Sequence, residues 1–124
     1  MKADKQITMK IKPCFLELIK AGKKKHEYRL NTPDRRKLSI GDQITLVSNE
    51  NHKDTLVVTI TEISTHSNWL DALKDYWKED FEGLFSNLDD LINECNKFYS
   101  PEQVKEYGVV RFCVKMKSQK AEFN

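Results

Sequence analysis

The run Thr55-Leu56-Val57-Val58-Thr59-Ile60-Thr61-Glu62-Ile63 leaves this chain few choices of fold. β-Branched side chains lose rotamer freedom in a helix and pack well on a pleated surface, so the run predicts a strand with Leu56, Val58 and Ile60 toward the core. Two shorter stretches alternate in the same way: Ile7, Met9 and Ile11 near the start, and Val110, Phe112, Val114 and Met116 near the end. Ile44 to Val47 follows the Gly41-Asp42 turn signal, and the polar stretch from Ser48 to Asp54 reads as the hairpin loop to the long strand. Lys24 to Leu30 is compatible with a further strand, on which Lys25, Glu27 and Arg29 face one side and His26, Tyr28 and Leu30 the other.

Helical signals fall between these strands. Pro13 suits a first helical turn, Phe15, Leu18 and Ile19 share one face, and Gly22 stands where a helix stops in the left-handed conformation. Trp69 to Asp80 reads as helix interrupted toward Gly83. Leu88, Leu91, Ile92, Cys95, Phe98 and Tyr99 recur at three-and-four spacing, which predicts an amphipathic helix over Asn87 to Tyr99. Ser100-Pro101-Glu102-Gln103 is a capping-box start for another short helix that ends at Gly108. Short strands with helices inserted near both ends predict one α+β domain over residues 1–124, with a core of about 6–117, a mixed sheet curled into a barrel and a loose tail from Ser118.

At 124 residues, 39% hydrophobic and 32% charged, the chain is long enough to bury a core without disulfides or metal. Cys14, Cys95 and Cys113 are odd in number and widely spaced, against a disulfide framework or a zinc site, and no cofactor motif is present. The first residues lack the apolar stretch of a signal peptide, and no apolar run is long enough to cross a bilayer. These features predict a cytosolic protein without membrane association, expected to act as a monomer.

The net charge of +2 is unevenly spread. Positions 20 to 37 hold eight Lys and Arg residues against Glu27 and Asp34 alone, while residues 68–107 hold ten acidic and four basic side chains. A polyanion would be drawn to the first segment and repelled by the second, which could dock a protein partner instead. Within the basic segment, Lys24 and Glu27 admit several uses. Glu27 could accept hydrogen bonds from the exocyclic amine of a base, take a proton during amide hydrolysis, or simply pair with Arg29 across one strand face. Arg29, Arg35 and Arg36 suit bidentate phosphate contacts, with Lys23 and Lys25 adding positive charge. Tyr107 could stack a base, whereas Trp69 and Trp77 fit core positions. His26, His52 and His66 show no ligand spacing, and each is expected on a strand or the surface.

Gly22-x-Lys24-x-x-Glu27-x-Arg29, then Arg35-Arg36, Ile40-Gly41-Asp42-x-Ile44 and Tyr107-Gly108-Val109-Val110 resemble the ASCH domain, a branch of the PUA-like superfamily. The resemblance covers roughly residues 6 to 117. It implies a PUA-like mixed β-barrel with inserted helices, a cleft beside the motif strand, and association with RNA, a nucleotide or a modified nucleoside. Some small relatives are amidohydrolases on acylated cytidine that use a lysine, a threonine and a glutamate, and ribonuclease activity is also associated with the domain. Lys24 matches that lysine; Glu27 stands at the threonine position; Glu79 or Glu82 are candidates for the third residue. The resemblance therefore implies a site of Lys24, Glu27 and Arg29, with Lys23, Lys25, Arg35, Arg36 and Tyr107 around it.

Overall fold

A computed structural model describes residues 6–117; the predicted C-terminal tail lies outside them. The elements run β1 (Gln6–Ile11), α1 (Pro13–Lys20), β2 (His26–Leu30), α2 (Pro33–Arg36), β3 (Gln43–Ser48), β4 (Thr55–His66), α3 (Trp69–Leu73), α4 (Trp77–Asp80), α5 (Leu88–Phe98), α6 (Pro101–Tyr107) and β5 (Val109–Met116). The strands form one five-stranded sheet in the order β1-β3-β4-β5-β2. β1 pairs parallel with β3, and the other pairs are antiparallel. The sheet curls into a half-barrel, the α+β fold expected from the strand and helix pattern.

Its concave side is a core of Met9, Ile11, Ile44, Leu46, Val58, Ile60, Val110, Phe112 and Val114, plugged by Leu16 and Ile19 of α1. The alternation that marked these strands is the alternation of burial along them, except that Val109 is buried in a second cluster and Met116 ends exposed. A second cluster packs Trp69, Ala72, Leu73, Phe81 and Leu91 of the helical segment onto Leu30 and Val109 at the β2–β5 side.

The caps explain where the helices stand. Asn68 and Asn87 accept hydrogen bonds from the backbone N–H groups of Asp71 and Asp90, and Ser100 with Gln103 forms both bonds of a capping box. The segment expected to be helical over Trp69 to Asp80 is instead two short helices, α3 and α4, broken at residues 74–76 rather than toward Gly83.

The long strand exceeds its sequence signal and carries a β-bulge. Register with β5 shifts between Ile60 and Glu62, and the Thr61 hydroxyl donates to the Cys113 carbonyl at 3.1 Å. One extra residue reverses the inward parity. Val58 and Ile60 face the core before the bulge and Ile63 packs against it afterwards, which sends Ser64 and His66 to the opposite face.

Candidate functional site: a cavity at the open seam

Gly22, at φ 78°, ends α1 with the Lys23 N–H on the Leu18 carbonyl and its own N–H on the Ile19 carbonyl. This Schellman arrangement turns the chain back sharply. Lys24 therefore sits in the turn before β2, not on the strand, and strand parity does not separate it from Glu27 and Arg29. Lys24 Nζ lies 3.1 Å from Glu27 Oε1. Arg29 holds Glu27 Oε2 from the other side, with Nε at 3.0 Å and Nη2 at 2.6 Å. Arg29 Nη2 also donates to the Lys10 carbonyl at 2.8 Å, tying β2 to β1 across the gap where the sheet stays open.

These groups are deeply placed: the Lys24 and Glu27 side chains are only 1% and 4% exposed. Burial pushes the Glu27 carboxyl upward, but the charges of Arg29 and Lys24 and their hydrogen bonds outweigh it and hold Glu27 below the usual carboxylate range. Burial alone would lower the Arg29 pKa, and Glu27 raises it instead. The hydrogen-bond inventory leaves capacity over. A carboxylate offers about four acceptor sites, of which Lys24 and Arg29 use three, and an ammonium has three donors. Lys24 Nζ gives one to Glu27 and one to the His26 carbonyl, and stands 4.7 Å from the Phe81 ring centroid.

Beside this triad opens a cavity of about 190 Å³. Its lining includes the aromatic residues Phe15, Tyr28, Trp69 and Phe81, Leu91 and Cys95 of α5 with Tyr99 just after it, and the charged residues Lys10, Lys12 and Glu94. Lys12 reaches Glu94 at 2.7 Å, bridging the β1–α1 junction to α5. The indole N–H of Trp69 is buried without an acceptor among the described residues. Four cationic and two acidic side chains line the space, so its local field favours a ligand carrying negative charge or acceptor atoms.

Of the residues singled out in the sequence, Lys24, Glu27 and Arg29 meet in this cavity; the other five lie outside its lining. Lys23 is exposed and pairs with Glu82 at 3.0 Å, and Lys25 is exposed. Arg35 donates to the Leu30 carbonyl, and Arg36 to the carbonyls of Asn31 and Tyr107. Both arginines thus brace the β2–α2 loop. Tyr107 packs in the second hydrophobic cluster. Glu79 and Glu82 are exposed, and the acid of that segment that approaches the triad is Asp80, 1% exposed. It accepts from Lys25 N–H at 2.8 Å, His26 Nδ1 at 2.9 Å and Tyr28 Oη–H at 2.5 Å. Burial pushes Asp80 up, while its bonds from His26 and Tyr28 and the charge of Lys24 hold it below its ordinary pKa. Burial, then Asp80, raises the Tyr28 phenol.

The stripe Leu91, Cys95, Tyr99 was visible in the sequence only as a helix face bound for the core. Nothing in its spacing tells a filled core from a hollow one. Among the described residues no helix is long and apolar enough to cross a membrane, and no cluster of His, Cys, Asp and Glu could hold a metal ion.

A five-stranded half-barrel with helices packed over it is the PUA-like α+β fold. The chain belongs to the ASCH domain family, whose model matches residues 9–118. Among solved structures it is similar to the hypothetical protein PH0355, at 28% identity over 91% of this chain and 100% of the other, with a TM-score of 0.78. A Pyrococcus furiosus protein, PF0455, shares 27% identity over 90% of this chain and 97% of its own, with a TM-score of 0.68. The ASCH domain from Lactobacillus crispatus shares the fold at 14% identity, covering 90% and 79% of the two chains with a TM-score of 0.59. Among curated proteins no match was found.

Proposed function

We propose that the chain binds a nucleoside or nucleotide, alone or as part of an RNA, by seating one base in the seam cavity. The observation that carries this reading is the Lys24–Glu27–Arg29 triad, buried on the wall of an aromatic-lined cavity. Buried ion groups contribute little net stability, because desolvation offsets their attraction, so such a triad on a cavity wall fits recognition better than scaffolding. At about 190 Å³ the space is below the roughly 300–1,000 Å³ typical of sites for drug-sized ligands, which suits a single planar ring. The remaining acceptor site on Glu27 suits a base amine, the Lys24 ammonium a ring carbonyl, and the aromatic walls the π-face. Lys10 and Lys12 in the lining add positive charge that suits a phosphate, with Glu94 on Lys12 at 2.7 Å.

Calorimetric titration with cytidine, cytidine monophosphate and a short RNA tests it. Binding of at least one of them by the parent, lost in a folded Cys95→Phe variant that fills the cavity, is the expected result. Unchanged binding by that variant, or no binding of any of the three by the parent, would overturn the reading. A steep salt dependence confined to the RNA would identify a polymer ligand.

The 3.1 Å contact between the buried Lys24 and Glu27 side chains favours a second reading, hydrolysis of an acylated cytidine amide. Here Lys24 would polarise the carbonyl while Glu27 manages the proton. Chromatography of such a substrate after incubation separates the two readings, because catalysis predicts turnover that a folded Glu27→Gln variant lacks.

A further inference from the structure

On the face of the sheet away from the barrel core, the end of β4 carries an arrangement outside the seam-cavity lining. Ser64 Oγ lies 2.9 Å from His66 Nε2, and His66 Nδ1 lies 2.7 Å from Asp71 Oδ2. Two structural devices produce it. The bulge at Thr61 turns Ser64 and His66, two residues apart on one strand, away from the barrel core and toward the helical layer. The Asn68 cap then starts α3 immediately after β4, so that Asp71, whose N–H it holds at 2.8 Å, comes back over His66.

The order of contacts is hydroxyl, imidazole, carboxylate, the relation that activates a serine in unrelated hydrolases whatever their sequence order. Lys74 lies 3.3 Å from Asp71 Oδ1, leaving Oδ2 to His66. The hydrogen bond from His66, and then Lys74, hold the Asp71 carboxyl below its ordinary pKa, which keeps it an acceptor. An acceptor at Nδ1 selects the Nδ1–H tautomer and leaves Nε2 to receive the serine proton. Directly across the β4–β5 ladder from Ser64 stands Arg111. Its guanidinium is held by the Ala72 carbonyl at 3.1 Å, lies 4.9 Å from the Tyr76 ring centroid and stands 4.0 Å from Asp75 Oδ2. Opposed residues in such a ladder have Cβ atoms roughly 4.5–5.5 Å apart, close enough for a long side chain to reach a group on its neighbour.

We propose that Ser64 is a nucleophile toward small carboxylic esters, with His66 as its base, Asp71 as a positioning residue and Arg111 as the cation facing the developing oxyanion. Ser64 Oγ bonds to the acyl carbon as its proton passes to His66 Nε2. The ester C–O bond then breaks, and the alcohol leaves with that proton. Water attacks the acyl-serine, giving a proton to His66, and the acid departs as the Ser64 hydroxyl is restored. No oxidant, metal or cofactor enters the balance. Ser64 is half-buried, the His66 side chain is 13% exposed and the Asp71 side chain 46% exposed.

The test is labelling of the full chain with a fluorophosphonate, in which the Ser64 oxygen displaces fluoride at phosphorus, read by intact mass and peptide mapping. One adduct on Ser64 is expected, absent in Ser64→Ala. Its rate should fall about a hundredfold in His66→Gln, as for loss of a general base. Asp71→Asn should slow it and Asp71→Glu restore part of the rate, which a merely structural aspartate would not do. Absence of a Ser64 adduct on the parent, or an unchanged rate in folded His66→Gln, would overturn the proposal.

Discussion

Replacing Glu27 by Gln removes one negative charge from between two buried positive ones. Lys24 is left with the His26 carbonyl and the charge of Asp80, Arg29 with the Lys10 carbonyl and Tyr99, and neither keeps a carboxylate in the place of the one lost. Breaking a buried ion group by removing one partner costs about 3–5 kcal/mol, because the charges left behind stay desolvated. Unfolding entropy of about 2.1 cal/mol/K per residue converts each kcal/mol into about 4 °C for a chain of this length, so the midpoint should fall by about 10–20 °C. Lys24→Met is the informative comparison, since Glu27 keeps both Arg29 bonds and the cost should be about 1–3 kcal/mol. Thermal unfolding followed by circular dichroism measures both variants. The pH dependence supplies a second check with a definite sign. Glu27 has a folded pKa below its unfolded one, so its contribution is complete above the unfolded value and is lost as pH falls through the folded value, below the ordinary carboxylate range. The gap between parent and Glu27→Gln should therefore be constant near neutrality and close in strong acid. A Glu27→Gln cost under about 1 kcal/mol, or equal costs for the two variants, would refute the buried-triad reasoning.

Asp80→Asn puts an amide N–H₂ where three donors converge, and urea unfolding should show a loss of about 2–4 kcal/mol. Gly108→Ala should destabilise more than Gly22→Ala. Both have positive φ, but a Cβ at Gly108 would come within 2.9 Å of the His66 carbonyl oxygen, whereas one at Gly22 meets nothing within 4 Å. The Gly22 change should cost only the backbone penalty of about 1–2 kcal/mol, and the same urea experiment compares them. In the folded protein Cys14 is exposed, while burial pushes the Cys95 thiol up to about 12. Mass-spectrometric mapping after iodoacetamide at mildly alkaline pH should find Cys95 about a thousandfold slower than an ordinary exposed thiol.

Local chemistry settled much of this molecule in advance. Alternation in β1 and β5, the β-branched run of β4, the Ser100–Gln103 capping box and the left-handed Gly22 each depend on neighbours within a few residues, so they could be read from the chain. The basic segment of the site was legible for the same reason, and Gly22 even supplied the turn that Lys24 needs. The four flanking cations outside the cavity, Lys23, Lys25, Arg35 and Arg36, were indistinguishable from Lys24 and Arg29 by composition, since exposure is not a local property. What closed the site came from far away in the chain: Arg29 on the Lys10 carbonyl, Asp80 beneath His26 and Tyr28, and α5 laid across the opening with Glu94 on Lys12.

Tertiary structure also decided which way β4 faces at its end. The sequence puts Leu56, Val58, Ile60, Glu62, Ser64 and His66 on one parity, and only pairing with β5 inserts the bulge that divides them. A bulge arises where two ladders and two packed layers cannot all be satisfied in one register, which is a condition on partners rather than on the strand itself. The sequence by itself determined the elements, their ends and their apolar faces, because these rest on steric preference and periodicity over one or two turns. The hollow beside Lys24, Glu27 and Arg29, and the meeting of Ser64, His66 and Asp71, belonged to the fold alone, because both require surfaces from distant parts of the chain to be brought into contact.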